Sequence, residues 1–232
     1  MKIGIMQPYF FPYLGYWQLM NAVDKFVIYD NIEYTKKGWF NRNCYLCEGE
    51  RHYFTVPVEK ASDFLDVRER RVSENFDREK LKRQIFMAYK KAPYFSEAYP
   101  VFCECADYQN RNLFEYIFYS VKKVCEYLEI QTEIIVSSST GIGRELKSSE
   151  KILAICKKMG GDIYINPIGG QALYHRREFE EKGISLKFIG MDSDISYLQF
   201  ENKFEADLSI IDVMMFNSRE KIHHMLDKFF LC

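Results

Sequence analysis

Two segments of the chain concentrate the side chains that could do chemistry. The first is Gln7-Pro8-Tyr9-Phe10-Phe11-Pro12-Tyr13-Leu14-Gly15-Tyr16. Gln7 carries an amide, Tyr9 and Tyr16 carry phenols, and Gly15 lets a backbone approach a ligand closely. Where such a glycine opens a helix, unpaired N–H groups can receive a phosphate. The second segment is Lys36-Lys37-Gly38-Trp39-Phe40-Asn41-Arg42-Asn43. Trp39 has a face that can stack on a sugar ring or a base, Asn41 and Asn43 can pair with hydroxyls or amides, and Arg42 can fork a phosphate. The alternative for Trp39 is an aromatic plug beneath a loop.

Elsewhere the signals are weaker. Gly169 and Gly170 follow an apolar strand and precede a helical pattern. Adjacent glycines there allow positive φ and bare N–H groups, so a second lobe of an anion site is expected, against a plain strand-to-helix turn. His175-Arg176-Arg177 comes next, and a solvated first helical turn is favoured over an anion contact. Cys44 and Cys47 have the spacing of a redox or zinc pair. Their odd separation puts them on opposite faces of a strand, so they are read as thiols and no metal site is expected.

The elements that must position these residues follow from periodicity. Lys2 to Met6 reads as a strand, Leu14 to Val23 as a helix and Phe26 to Tyr29 as a strand. Such a βαβ unit implies parallel strands. Asn43 to Val58 alternates as a hairpin with its turn at Glu48-Gly49-Glu50, inside an insertion over 31–75. A helical segment over 76–130 follows, and then a second α/β half. There, strands are expected at Thr132 to Val136, Asp162 to Asn166 and Ile184 to Ile189. Helices are expected after Ser148 or Ser149, over Ala172 to Lys182, over Asp207 to Phe216 and after Ser218. The fold class is α/β: one domain over 1–232, with a parallel-rich, Rossmann-like sheet and flanking helices. If the ends of adjacent parallel strands share one edge, then Gln7, Tyr16, Asp30, Trp39, Asn41 and Arg42 should line one cleft.

Composition excludes several classes. Over 232 residues, 47% hydrophobic and 28% charged content is globular, not disordered. The 32 basic and 33 acidic residues leave a net charge of −1, which gives no footprint for nucleic acid. No apolar run approaches the ~18 residues of a membrane-spanning helix. The apolar stretch after Lys2 is cut at Gln7-Pro8, too early for a signal peptide. Seven scattered cysteines fit reduced thiols in a cytoplasm. Six aromatics within residues 9–17 are too many for one core face, so some are expected to line a cleft or an interface.

Taken together, the two polar segments resemble the WbqC-like protein family. The resemblance rests on Ile5-Met-Gln7-Pro8-Tyr9-Phe-Phe-Pro12-Tyr-Leu-Gly15-Tyr16, Phe26-Val-Ile-Tyr-Asp30 and Lys37-Gly38-Trp39-Phe40-Asn41-Arg42-Asn43. Tyr89-Lys-Lys-Ala-Pro93-Tyr-Phe, Ile163-Tyr-Ile-Asn-Pro-Ile-Gly169-Gly170 and Ser209-Ile-Ile-Asp212 extend it over nearly the whole chain. It implies a transferase of surface-polysaccharide, above all O-antigen, biosynthesis that attaches a glycyl or related acyl group to an amino sugar. The implied partners are a nucleotide-linked amino sugar and an acyl donor: a carrier protein, a coenzyme A thioester, or an amino acid with ATP. No cofactor is indicated. Forming the amide needs a base for the ammonium and a donor for the oxyanion. Asp30, at the end of the second strand, is placed to be the base, and Lys37, Asn41 or Arg42 to supply the contacts. Gln7, Tyr9, Gly15, Tyr16, Trp39, Asn43, Gly169 and Gly170 complete the expected substrate site.

A fainter similarity joins strand, loop, Gly15-Tyr16 and helix to the Gly-His signature of nucleotidylyltransferases. Tyr16 stands where their histidine would be, and a neutral phenol cannot carry its charge. The alternatives are therefore a nucleotide-binding or nucleotidyl-transfer module in the same cleft, or a non-catalytic partner of a glycosyltransferase.

Overall fold

The structure, a computed structural model, describes residues 1–143, 145, 146 and 148–232. Along the chain come β1 (Lys2–Met6), α1 (Leu14–Ala22), β2 (Lys25–Ile28), β3 (Arg42–Cys47), β4 (Glu50–Thr55), α2 (Arg78–Tyr89), α3 (Phe95–Ala106) and α4 (Leu113–Leu128). Then come β5 (Glu133–Val136), α5 (Ser148–Lys158), β6 (Ile163–Pro167), α6 (Arg176–Glu180), β7 (Ser185–Met191), α7 (Ile210–Phe216), α8 (Arg219–Leu226) and β8 (Phe229–Leu231). Six strands make one sheet in the order β5-β2-β1-β6-β7-β8, parallel except for β8, which runs antiparallel to β7. β3 and β4 form the separate hairpin, with Arg42 opposite Thr55 and Cys47 opposite Glu50.

Strand alternation sorts the sheet's side chains into two cores. Ile3, Ile5, Val27 and Tyr164 face α5 and α6, where Ile152, Ile155, Cys156 and Phe179 cover them. Phe26, Ile28 and Ile165 point the other way, into a larger core that takes in α1, the hairpin, α2 to α4, α7 and α8. Helices on both faces of a mostly parallel sheet define a doubly wound, Rossmann-like fold. α1 is apolar nearly all round because the sheet lies on one side and α8 on another. Its buried Gln18 donates through Nε2 to the carbonyls of Met225 and Lys228, each at 2.7 Å, and so ties α1 to the end of α8.

The clustered N-terminal aromatics do face one core. Phe10, Phe11, Tyr16 and Trp17 are fully buried in it, and Tyr9 and Tyr13 pack half-buried at its border. Two further elements depart from the expectations. The stretch 172–182 is not one helix: a 3₁₀ turn over Ile168–Leu173 precedes the short α6, and Tyr174 between them is extended. Its ring meets Tyr164 and Phe179 edge-on, and that contact pulls the chain off any continuous helix axis. β8 is a strand that the sequence does not announce, since three apolar residues carry too little periodicity to register.

The Ser209-Ile-Ile-Asp212 segment closes the large core. Ser209 caps α7 at Ile211 N–H and also donates to the Phe11 carbonyl at 2.8 Å. Asp212 is fully buried, with no cation beside it among the described residues. It accepts from Tyr89 Oη, Tyr197 Oη and Gln199 Nε2 at 2.7–2.8 Å. Burial pushes its carboxyl up to about 6, although the three donors pull it down. A carboxyl raised in the folded state stabilises the fold at low pH and loses that contribution as pH rises through 6. Urea unfolding at pH 5 should therefore give a stability on the order of 1 kcal/mol higher, from this group, than at pH 7.5. Asp212→Asn should lack that increment; an identical pH difference in both proteins would show that Asp212 is not its source.

Candidate functional site

β1 is the strand from which the chain leaves in two directions. The connection through α1 leads to β2 on one side, and the connection through α5 returns to β6 on the other. The loops leaving β1 and β6 therefore diverge, and a crevice opens beyond their carboxyl ends, the usual ligand position in such sheets. A cleft of about 820 Å³ lies there. Gln7 and Tyr9 come from the first loop, Tyr29, Asn31 and Glu33 follow β2, Asn166 lies at the end of β6, and Gly169 and Gly170 follow it. Ser148 and Lys151 from the first turns of α5 complete the wall, with Asp66 and Tyr174.

Its polar groups are held from behind. Lys151, nine-tenths buried, donates to the backbone carbonyl and to Oδ1 of Asn31, both at 3.1 Å, and lies 4.9 Å from the Tyr29 ring. Asn31 in turn accepts from Ser137 Oγ at 2.6 Å and donates to the Ile142 carbonyl. Asp66 accepts Glu69 N–H in a capping box and lies 3.5 Å from Arg68. Tyr9 donates to Gln7 Oε1 at 3.1 Å. Burial, with Tyr13 nearby, pushes the Tyr9 phenol up to about 12, so it remains a donor. Gly169 and Gly170 both lie on the wall, but neither takes a positive φ; they open the 3₁₀ turn. A Cβ on Gly170 would sit 2.0 Å from Asn166 Nδ2, so this glycine makes room for the amide beside it.

The residues expected to share one cleft are divided. Gln7, Tyr9, Gly169 and Gly170 meet in it. Trp39 and Asn43 border a second depression, of about 320 Å³, which shares Tyr9 as a wall. Gly15 borders a third, near Pro167 and Met191, and its role is steric. A Cβ there would lie 2.5 Å from the Tyr13 ring, which crosses it. Tyr16 is fully buried against Phe26 and Trp17, and donates to the Gln7 carbonyl at 3.2 Å, so it cannot stand in for a phosphate-binding histidine. Asp30 is buried behind the wall. Its carboxylate accepts Ser137 Oγ and Ser138 N–H at 2.8 Å each, and Arg68 lies at 3.8 Å.

The loop that carried the densest polar signal is mostly occupied with itself. Asn41 is buried between the Tyr34 hydroxyl and the Val56 carbonyl. Asn43 donates to the carbonyls of Phe10 and Phe11 and accepts Cys44 N–H. Arg42 donates to the Gly38 and Lys37 carbonyls at 3.2 and 2.7 Å, and lies 5.5 and 5.3 Å from the rings of Trp39 and Tyr53. Lys37 is exposed at the loop's outer edge. Asn31, Asn166 and Lys151 carry no distinguishing signal in the sequence: Asn31 stands in the polar stretch after β2, Asn166 lies at the end of an apolar strand, and the lysine looks like any solvated helical position. Among the described residues, no three His, Cys, Asp or Glu side chains group to hold a metal.

A doubly wound α/β protein with a switch-point cleft is the class that fold and geometry define. The chain belongs to the WbqC-like protein family, which matches residues 7–224. It is 27% identical over 218 residues, 92% of each chain, to the uncharacterized protein Rv1507c of Mycobacterium tuberculosis. No solved structure matches it.

Arg42 gives a direct check on the division of roles. Its guanidinium closes the 37–42 loop on two carbonyls, so Arg42→Ala should cost about 1–2 kcal/mol of stability. Urea unfolding curves of the two proteins measure the difference, and an unchanged stability would free Arg42 from this closing role.

Proposed function

We propose that this protein is a cytoplasmic transferase of surface-polysaccharide (O-antigen) biosynthesis, attaching a glycyl or related acyl group to the amine of a nucleotide-linked amino sugar. The observation that carries this reading is where the cleft sits. It opens at the topological switch point, lined by the first turn of α5, the Lys151 ammonium, the amides of Gln7, Asn31 and Asn166, and the carboxylates of Glu33 and Asp66. A helix N-terminus next to a lysine suits the diphosphate of a sugar nucleotide. Gln7, Asn31 and Asn166 are placed along the wall for the hydroxyls and ring amides of such a ligand. The volume lies in the range of small-molecule and cofactor sites.

In the reaction, a base removes a proton from the sugar ammonium. The freed amine adds to the acyl carbonyl, and the tetrahedral intermediate expels the donor's thiol, carrier or phosphate group. Asp30 is engaged by Ser137 and Ser138 behind the wall, whereas Glu33 is an exposed carboxylate on it. Glu33 therefore takes the base's role in place of Asp30. Tyr9, kept protonated by burial, lines the same cleft, and its O–H, which rests on Gln7 Oε1, can turn to steady developing oxygen charge. Lys37, at the outer edge of its loop, has no part in this scheme.

Incubation with a dTDP-amino sugar and each donor class in turn should raise the sugar nucleotide's mass by one acyl group with one of them. Glu33→Gln should lower that rate 10²- to 10⁴-fold and leave binding intact. Lys151→Met, which keeps the aliphatic stem, should weaken sugar-nucleotide affinity roughly 10- to 150-fold. Tight binding with no mass increase for any donor class would instead favour a sugar-nucleotide-binding module.

A further inference from the structure

Beyond Tyr9 lies the second depression, bordered by Pro12, Tyr13, Trp39, Asn43, Arg51 and Asp207. Trp39 is the exposed one of the two tryptophans, at 38%, and Tyr53 beside it is 52% exposed. Their rings lie 6.3 Å apart and 21° from parallel, and so present a broad aromatic shelf at the rim. Arg42 lies over both rings, 5.5 and 5.3 Å from their centroids, while bound to the carbonyls of its own loop. A shelf of large rings held in place but open to water is unusual unless something covers it.

We infer that this depression is a subsite for a neutral pyranose ring, separate from the switch-point cleft. The charge around it selects the class. Its cations are engaged: Arg51 pairs with Glu205 and the Ala206 carbonyl, and Arg42 with Gly38 and Lys37. Asp207 presents a carboxylate, which repels phosphate but accepts hydroxyl protons. Tyr13 stays a phenol, since burial and then Asp207 raise its pKa, and so can donate to a ring or hydroxyl oxygen. The flat C–H face of a pyranose suits the electron-rich face of an indole. The volume, about 320 Å³, is at the small end of ligand sites and fits a sugar better than a whole sugar nucleotide. This goes beyond the transferase proposal: the depression adjoins the cleft through the shared wall at Tyr9, and its assignment does not depend on where the amino sugar is acylated.

The two indole N–H signals make the test specific. Trp17 is fully buried with its Nε1 on the Pro12 carbonyl, so only Trp39 should report on the shelf. Methyl pyranosides and free N-acetylglucosamine, titrated into the ¹⁵N-labelled protein, should move the Trp39 signal saturably and leave Trp17 still. Tyr53→Ala, a change at an exposed position, should weaken that binding roughly 2- to 10-fold. A Trp39 signal that no pyranoside moves, or one that uridine moves and pyranosides do not, would overturn the assignment. So would a pyranoside affinity untouched by Tyr53→Ala. These probes carry no nucleotide and no activated acyl donor, so their failure would leave the cleft and the transfer reaction to stand or fall separately.

Discussion

Parallel pairing of β1 on both edges is the constraint from which the rest follows. Ile3 to Met6 pair with Lys25 to Ile28 on one side, and Lys2 to Gly4 pair with Ile163 to Ile165 on the other. Parallel neighbours can be reached only by crossovers, and here the two crossovers lie on opposite faces of the sheet. The loops leaving β1 and β6 must then part, and no side chain needs to be invoked to open the space between them. The surrounding residues decide only how that space is furnished.

The N-terminal loop needs more than the sheet to hold it. Phe11 sits at a φ of 46, a left-handed conformation that a phenylalanine rarely adopts. Its carbonyl accepts from Asn43 Nδ2 and Ser209 Oγ, while Phe10 N–H donates to the Phe40 carbonyl and Ile210 N–H to the Pro12 carbonyl. The hairpin and α7 thus over-determine a strained turn, which is how such strain persists. The same bonds explain why the polar 36–43 loop and the Ser209–Asp212 segment accompany the aromatic opening in one sequence. Much of that polarity serves to position Tyr9 and Tyr13, the two aromatics left at the border of the core.

This arrangement separates two kinds of polar residue that look alike on paper. All four asparagines 31, 41, 43 and 166 donate to backbone carbonyls, but only Asn31 and Asn166 do so from the lining of the cleft. Asp30 and Glu33 are three positions apart, yet one is sealed by two serines and the other is exposed. An amide or a carboxylate in a loop is free for a ligand only when the backbone around it is satisfied by something else.

The sequence by itself determined the βαβ opening, the hairpin, most helices, the doubly wound class and the family, because these rest on local periodicity, turn residues and a shared pattern of residues. It also pointed to the right loops, since strand ends in parallel sheets converge whatever their side chains. Tertiary structure alone decided which residues of those loops face the cleft. Tyr16 is one position from Gly15, but helical rotation turns it into the core. Lys151 is far from β1 in the chain, but α5 carries it to the strand's end. The 3₁₀ turn at Ile168–Leu173 depends on Tyr174 finding Tyr164 and Phe179. Direction, burial and the partner of each polar atom are set by contacts between distant segments, and no local window of sequence contains them.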